Sequence, residues 1–510
     1  MAEYLAPGVY IEEIERGPKP IEGVSTSTAA FLGTTERGPV QPRFIASYND
    51  YLRHFGGVFA ADGYMPYAVS SFFENGGRRC FVCRITGADA TSAYHEFDNY
   101  RVQASGPGDW GSRIYVKVQD STTKNKDGTP IGIRLRIAYW QVTPPGGISD
   151  PFLGVVLANP PIKVEDFDDV VLIDPKSANY FAKRIPNNSS LISFDLIDAA
   201  GTLTMTTDVG SALDQEGAVG ADIAVTDYVG ANADPSLRTG LSALLLDQYR
   251  EVALVYAPNA SDDVVVKVIS HCEGQKFRFA VIDAAPNQGN PANIDPRSQN
   301  DTEYAAYYYP WIIVSDPQNG TRKKVPPGGA MLGIYARTDG ERGVFKAPAN
   351  EVVRGALALE YNIDENTQAL LNPRGVNVIR QFPGRGIRAW GARTLSSNSL
   401  WKYVSVRRLF IFLEASIYEG TQWVVFEPND ERLWARVKDT IRLFLRTQYR
   451  AGALLGATEA EAFQISCDRS TMTQDDILNG RLICEIGIAP VRPAEFVIFK
   501  IFQSTAEAQT

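Results

Sequence analysis

VALVYAPNASDDVVVKVISHCEGQKFRFAVI, residues 252–282, decides the fold. Val252–Tyr256 reads as a strand, Asp263–Glu273 as a helix and Phe277–Ile282 as a second strand. That is the β-α-β pattern of a parallel sheet. Working outward, the same alternating texture begins at Leu241. A Pro/Gly/Asn-rich run over 285–299 then leads to Tyr304–Trp311 and a strand at Ile312–Val314. Far upstream, Thr28–Gly33 reads as a buried strand ending in a Gly turn. Tyr67–Phe73 reads as a helix closed by Asn75-Gly76-Gly77, where glycine readily takes the left-handed conformation that ends helices. Cys80–Ile85 follows as another buried strand. Two long helices, about Leu400–Glu419 and Pro428–Ala451, occupy the last third.

Between these flanks the texture changes. Arg113–Gln119 and Ile131–Trp140 read as a hairpin around Lys124–Gly128, with long polar loops nearby. Ile131, Ile133, Leu135, Ile137 and Tyr139 alternate with Gly132, Arg134, Arg136 and Ala138, a period of two that predicts one dry and one wet face. We expect residues 89–235 to be a β-rich domain inserted into the first one. Both ends of the chain read as arms. Val9–Ile14 is rich in strand formers but fenced by Pro7, Pro18 and Pro20. At the other end, Glu495–Phe502 is apolar on both faces, with Phe496 and Ile498 on one and Val497, Phe499 and Ile501 on the other. Such a strand is either central to its own sheet or donated to a neighbour's.

A chain of 510 residues exceeds one core's capacity, which predicts two to four domains. Its net charge of -9 argues against indiscriminate nucleic-acid binding. The charge is uneven, however: Arg374–Arg450 holds fourteen Lys and Arg against six Asp and Glu. This excess reads either as a basic surface for an acidic partner or as a solvated helix face. Five cysteines make no disulfide framework. No apolar run reaches the ~20 residues of a membrane span, and the opening lacks a leader's basic and apolar regions. The expectation is a chain made and kept reduced in a cytoplasm.

Catalysis finds little to stand on. His54, His95 and His271 have no second ligand at metal spacing, and His271 falls in a predicted helix. Cys80 and Cys83 form C-x-x-C within a strand, where a separation of three sends the thiols to opposite faces. They read as buried free cysteines. Pro383-Gly-Arg-Gly386 lacks the third glycine of a dinucleotide loop and reads as a turn. We expect no enzyme, no metal and no cofactor.

Many short stretches, taken in order, carry a resemblance. Ala6–Glu13, Gly23–Gly33, Gly38-Pro39, Tyr51–Gly56 and Phe72–Gly77 come first, followed by Pro326–Ala330, Tyr335–Gly343 and Ala347–Asn350. Leu371-Asn372, Gly375–Asn377, Trp390–Thr394, Trp401–Leu409, Phe426–Asn429 and Pro490–Glu495 complete it. Together they resemble the sheath proteins of contractile phage tails and phage-tail-like injection systems. The resemblance skips about residues 90–235.

It implies an α/β (α+β) core built from both ends of the chain, 23–88 with 236–490. Residues 236–350 would form an α/β middle part and 351–490 a C-terminal part. The 89–235 insertion would lie outside, with arms at 1–22 and 491–510. Six subunits would form a ring, and rings would stack helically around an inner tube protein, bounded by baseplate and tail-terminator proteins. Neither direct nucleic-acid binding nor membrane insertion is implied. Val9, Tyr10, Ile11 and Ile14, with Glu495, Phe496, Val497, Ile498, Phe499, Ile501 and Phe502, would join subunits.

On a helical wheel of the 428–451 segment, Leu433, Val437, Ile441, Phe444 and Leu445 share one arc. Arg432, Arg436, Arg442, Arg446 and Arg450 gather opposite, interrupted by Asp439. Guanidinium suits carboxylates on a partner, and in similar sheaths a basic helix of this region lies against the inner tube. The rival readings are a non-contractile virion or baseplate protein and an α/β hydrolase.

Overall fold

The computed structural model describes residues 20–154, 156–197, 205–215, 217–317 and 319–500. The chain divides at Val24/Ser25 and again at Arg407/Arg408 into two compact units. The larger, Ser25–Arg407, is organised on a nine-stranded sheet. Six strands run parallel through its centre in the order Val376–Phe382, Ala305–Tyr309, Phe279–Asp283, Leu254–Tyr256, Ala29–Gly33 and Cys80–Arg84. Antiparallel strands finish it: Gly386–Ala389 and Glu351–Val352 on one side, Arg43–Ile45 on the other. The expected β-α-β unit is present, with Leu254–Tyr256 joined to Phe279–Asp283 through the Asp262–Gln275 helix.

Ala29–Gly33, Cys80–Arg84 and Leu254–Tyr256 are buried throughout, because both faces of a parallel sheet are covered by its crossover helices. Ala30, Leu32, Cys83, Val255 and Ala280 meet Val264, Val268, Ile269 and Cys272 of the Asp262–Gln275 helix. Phe31 points the other way, edge-on to Phe72 at 5.4 Å and to Tyr256 at 5.8 Å. Helices Met65–Glu74 and Gly328–Arg342 approach so closely that glycine is required between them. A methyl on Gly329 would sit 2.3 Å from the Ala68 carbonyl oxygen, and one on Gly333 2.5 Å from that of Phe72.

Asp283 closes its strand by tying three elements together. Its Oδ2 accepts from the Tyr256 hydroxyl at 2.6 Å and its Oδ1 from Gly328 N, in the first turn of the Gly328–Arg342 helix, at 2.8 Å. The helix N-terminus and these bonds favour the ionised form, but burial outweighs them and pushes the carboxyl up to about 7.

The β-rich segment of this unit has a core of its own, running from Ala93 to Leu213 and including Trp110, Leu135, Ile137, Tyr139 and Phe194. One antiparallel sheet orders Val209–Ala212, Ile114–Asp120, Ile133–Tyr139 and Lys163–Val170; a second contains Tyr94–Phe97, Tyr100–Ala104 and Ile192–Leu196. The hairpin is in the register Ile114↔Tyr139 to Asp120↔Ile133. Its second strand is less amphipathic than its alternation predicts. Ile133, Leu135, Ile137 and Tyr139 are buried as expected, but Ala138 on the other face is buried too, with Tyr115 and Trp140 against Phe152 and Leu157. Only Arg134 and Arg136 keep that face polar, both facing Asp166.

Buried charge joins this segment to the parallel sheet. Glu36 accepts from the Tyr139 hydroxyl at 2.7 Å, from Gly57 N at 2.8 Å and from Arg37 at 3.3 Å, while the Arg37 guanidinium lies 5.0 Å from the Tyr139 ring centre. Arg84 donates to the carbonyls of Gly38 and Pro107 at 2.8 and 2.7 Å. The segment's ends meet where Ala221 N donates to Ala88 O at 2.9 Å. Val225 and Tyr228, which lie within the block expected to be inserted, pack against the core of the parallel sheet.

The smaller unit contains residues 20–24 and 408–500. The Val404–Gly420 helix enters it from the larger unit and is followed by Glu431–Arg450. Phe412 and Phe444 bring the two helices together, their ring centres 6.0 Å apart. Val24 N donates to Ser416 Oγ at 3.1 Å, and Ile21 lies against Gly420. A two-stranded antiparallel sheet, Phe463–Ser466 with Glu485–Ile488, completes the unit.

Candidate assembly surfaces

Asp430 starts the Glu431–Arg450 helix by accepting from Leu433 N at 2.8 Å. Leu433, Val437, Ile441, Phe444 and Leu445 are all buried, and Trp434 and Thr440 widen the buried arc. The arginines lie outside it, but they do not form a uniform row of open charge. Arg432, Arg436 and Arg450 are exposed, whereas Arg442 and Arg446 are half-buried. Arg436 stacks over Trp423 at 4.6 Å, and Arg442 lies 3.6 Å from Asp439. Arg446 grips Glu459 with Nε at 2.8 Å and Nη2 at 3.1 Å. That bond and the charges of Arg446, Arg442 and Arg450 hold the Glu459 carboxyl below its ordinary range. The face therefore has a carboxylate at its C-terminal end that helical spacing does not reveal, since Glu459 belongs to another element.

Part of the wider basic excess is engaged in backbone hydrogen bonds within the larger unit. Arg374 donates to the carbonyls of Ala292 and Ile294, Arg380 to that of Ile363, Arg388 to those of Arg385 and Asn350, and Arg393 to that of Asn372. Counting charges along the chain overstates the basic surface, because arginine is also a multidentate donor to backbone oxygens.

At the C-terminal end, residues 491–500 adopt no strand. Phe496, Val497, Ile498 and Phe499 are 69–84% exposed, four large apolar side chains in succession. Ile501 and Phe502, like Val9, Tyr10, Ile11 and Ile14, lie outside the described residues. The neighbouring two-stranded sheet has two strands and hence two outer edges.

His54 is buried, 3.4 Å from Asp50, and burial with nearby Arg43 and Arg53 lowers it to about 3. His271 is likewise lowered to about 3 by burial and by Arg278, which it meets at 2.6 Å. His95 Nδ1 lies 2.8 Å from Asp214. Cys80 and Cys83 are buried and free. Among the described residues there is no group of three or more His, Cys, Asp or Glu able to hold a metal, and no helix long and apolar enough to cross a membrane.

An exposed apolar run beside a basic helix face is what a chain presents when its surfaces meet other chains. Residues 230–395 match the phage tail sheath protein central domain, and 396–504 match the phage tail sheath C-terminal domain. The chain is 26% identical over 299 residues to a putative prophage major tail sheath protein of Pseudomonas aeruginosa, covering 56% of this chain and 75% of that one. It is 24% identical over 305 residues to the tail sheath protein of Escherichia phage P2, covering 58% and 74%. Its fold matches the sheath complex of the extracellular contractile injection system PVC in its contracted state, with TM-score 0.61 and 22% identity over 100% of both chains. The helical sheath of the anti-feeding prophage in its contracted state matches with TM-score 0.58 and 24% identity over 98% of this chain and 99% of that one. The chain belongs to the contractile tail sheath family, whose members are structural proteins of phage tails and phage-tail-like particles.

Proposed function

We propose that this chain polymerises as stacked hexameric rings around an inner tube and contracts to drive that tube through a target envelope. The observation that carries the reading is the run Phe496–Phe499, apolar and exposed in a family whose members form sheaths. Strand donation to a neighbouring subunit would bury it. The Phe463–Ser466/Glu485–Ile488 pair of a neighbour would be the acceptor, because a two-stranded sheet gains stability from each added strand. Val9–Ile14 would serve as the second arm. Arg432, Arg436, Arg442, Arg446 and Arg450 would face carboxylates on the tube, and the β-rich segment would lie on the outside. Baseplate and tail-terminator proteins would bound the cylinder, which is assembled in the bacterial cytoplasm.

The stroke is mechanical. Subunits assemble in an extended, metastable state and rearrange as near-rigid bodies when triggered, the arms keeping neighbours joined. Interfaces better matched in the contracted state drive the change, with no nucleotide required. Negative-stain imaging of the purified full chain tests this: long hollow cylinders are expected, and discrete particles under every assembly condition would overturn it.

A further inference from the structure

The two-stranded sheet of the smaller unit places two cysteines opposite one another. Its register pairs Phe463 with Ile488, Gln464 with Gly487, Ile465 with Ile486 and Ser466 with Glu485. Continued one step past the paired strands, that register sets Cys467 against Cys484. Directly opposed residues of antiparallel strands have Cα atoms ~4.5 or ~5.5 Å apart. Both spacings fall within the ~4.4–6.8 Å window that a disulfide requires. The two thiols lie near enough to perturb one another electrostatically. Just beyond the pair, Thr471 Oγ1 donates to Ile483 O at 2.9 Å and holds the two segments together.

We propose that Cys467 and Cys484 are a modification site that closes to a cross-strand disulfide when the chain meets a small-molecule disulfide. Cys484 is part-exposed, whereas Cys467 is buried. Cys484 loses its thiol proton to solvent and its sulfur attacks the small disulfide R–S–S–R. The Cys484–S–S–R bond forms as one R–S⁻ leaves. Cys467 then loses its proton and attacks Cys484 Sγ, forming the Cys467–Cys484 bond and expelling the second R–S⁻. The protein gives up two electrons and two protons, and the small disulfide becomes two thiols. Burial and the neighbouring sulfur hold Cys484 at about 12, so the thiolate is scarce and the exchange slow, although Lys438 draws both thiols downward.

The bond would close residues 468–483 into a loop and fasten the two strands at the end opposite Phe463 and Ile488. The other three cysteines have no part in it. Cys80, Cys83 and Cys272 are buried in the parallel-sheet unit. The pair's chemistry does not depend on the sheath reading. Only the setting does, in which a particle made in a reducing compartment is released into one holding oxidised thiols.

The test uses the full chain, purified with reductant, freed of it, and incubated under native conditions with oxidised glutathione. Alkylation and digestion should yield a peptide pair joined through Cys467 and Cys484, lighter by two hydrogens than the separate thiols. Cys80, Cys83 and Cys272 should remain unoxidised and become alkylated only after denaturation. The oxidised chain should have a higher denaturant midpoint than the reduced one, a difference that C467S and C484S each abolish. The wild-type mass readout stands even if a variant folds poorly. Free thiols at both positions after prolonged oxidation would overturn the proposal, as would a cross-link that forms only once the chain is unfolded.

Discussion

Asp283 shows what one side chain contributes to the sheet's C-terminal side. Its folded-state value of about 7 lies above the ordinary 3.8, so the folded chain keeps a proton that the unfolded chain has lost. The associated stability is present below about pH 4 and disappears as pH rises through about 7, by at most ~4 kcal/mol. The stability difference between wild type and Asp283→Asn should therefore shift against wild type across that range in denaturant titrations at successive pH values. A pH-independent difference would show that the carboxyl is ionised throughout. Tyr139→Phe removes one donor from Glu36 while keeping the ring under Arg37. A buried carboxylate short of a partner should lower stability by about 1–3 kcal/mol, measured in the same titration. Neither residue stands out in the sequence: Asp283 ends a strand like many aspartates, and Tyr139 reads only as a core position. Their roles come from chain segments far away in sequence, a distance that local periodicity does not span.

Among the elements, those with a strong period were the most legible. The apolar arc of the Glu431–Arg450 helix and the continuous hydrophobic run of the buried strands follow directly from helical and parallel-sheet geometry. The opposite arc was legible in composition but not in wiring, because Glu459 and Trp423 reach it from other elements. This refines the charge-reversal experiment. Substituting Arg442, Arg446 and Arg450 together by Glu should stop sheath from assembling on the tube while tube-free cylinders still form. The repulsion this places beside Glu459 should be relieved by adding Glu459→Arg, leaving the loss of tube-bound sheath unchanged in electron micrographs. If the fourth substitution restores tube binding, the face acts through local stability rather than contact. The tail gives a simpler case. Residues 494–500 contain the exposed run Phe496–Phe499, so removing 494–510 should leave a folded, soluble monomer by circular dichroism and light scattering, with no cylinders. Cylinders from that truncation would rule out the tail as a joint.

For the whole molecule, the change of texture between the flanks was legible in the sequence, but the joint was not. Glu36 and Arg84 bind the β-rich segment through hydrogen bonds, and Arg37 through the Tyr139 ring, contacts that leave no periodic trace. The contact between Ala88 and Ala221, and the packing of Val225 and Tyr228 on the sheet, suggest where to cut. Replacing 89–220 with a short Gly linker should give a soluble chain that still forms cylinders, whereas extending the deletion to 234 should cost stability by baring the core beneath Val225 and Tyr228. Solubility and thermal melting distinguish the two. Insolubility of both would mean that the segment completes the core.

The smaller unit contains both the residues that follow the N-terminal segment and those that lead to the C-terminal one. If neighbours pull on the two ends, the tension runs through this unit alone. In chain order the nine-stranded sheet is spliced between Val24 and Arg408, so force applied to the two ends reaches the smaller unit first. The sheet's strands are spared the shear that would otherwise unzip them. A molecule held at residues 20 and 500 and stretched should release the small unit first and the sheet only afterwards.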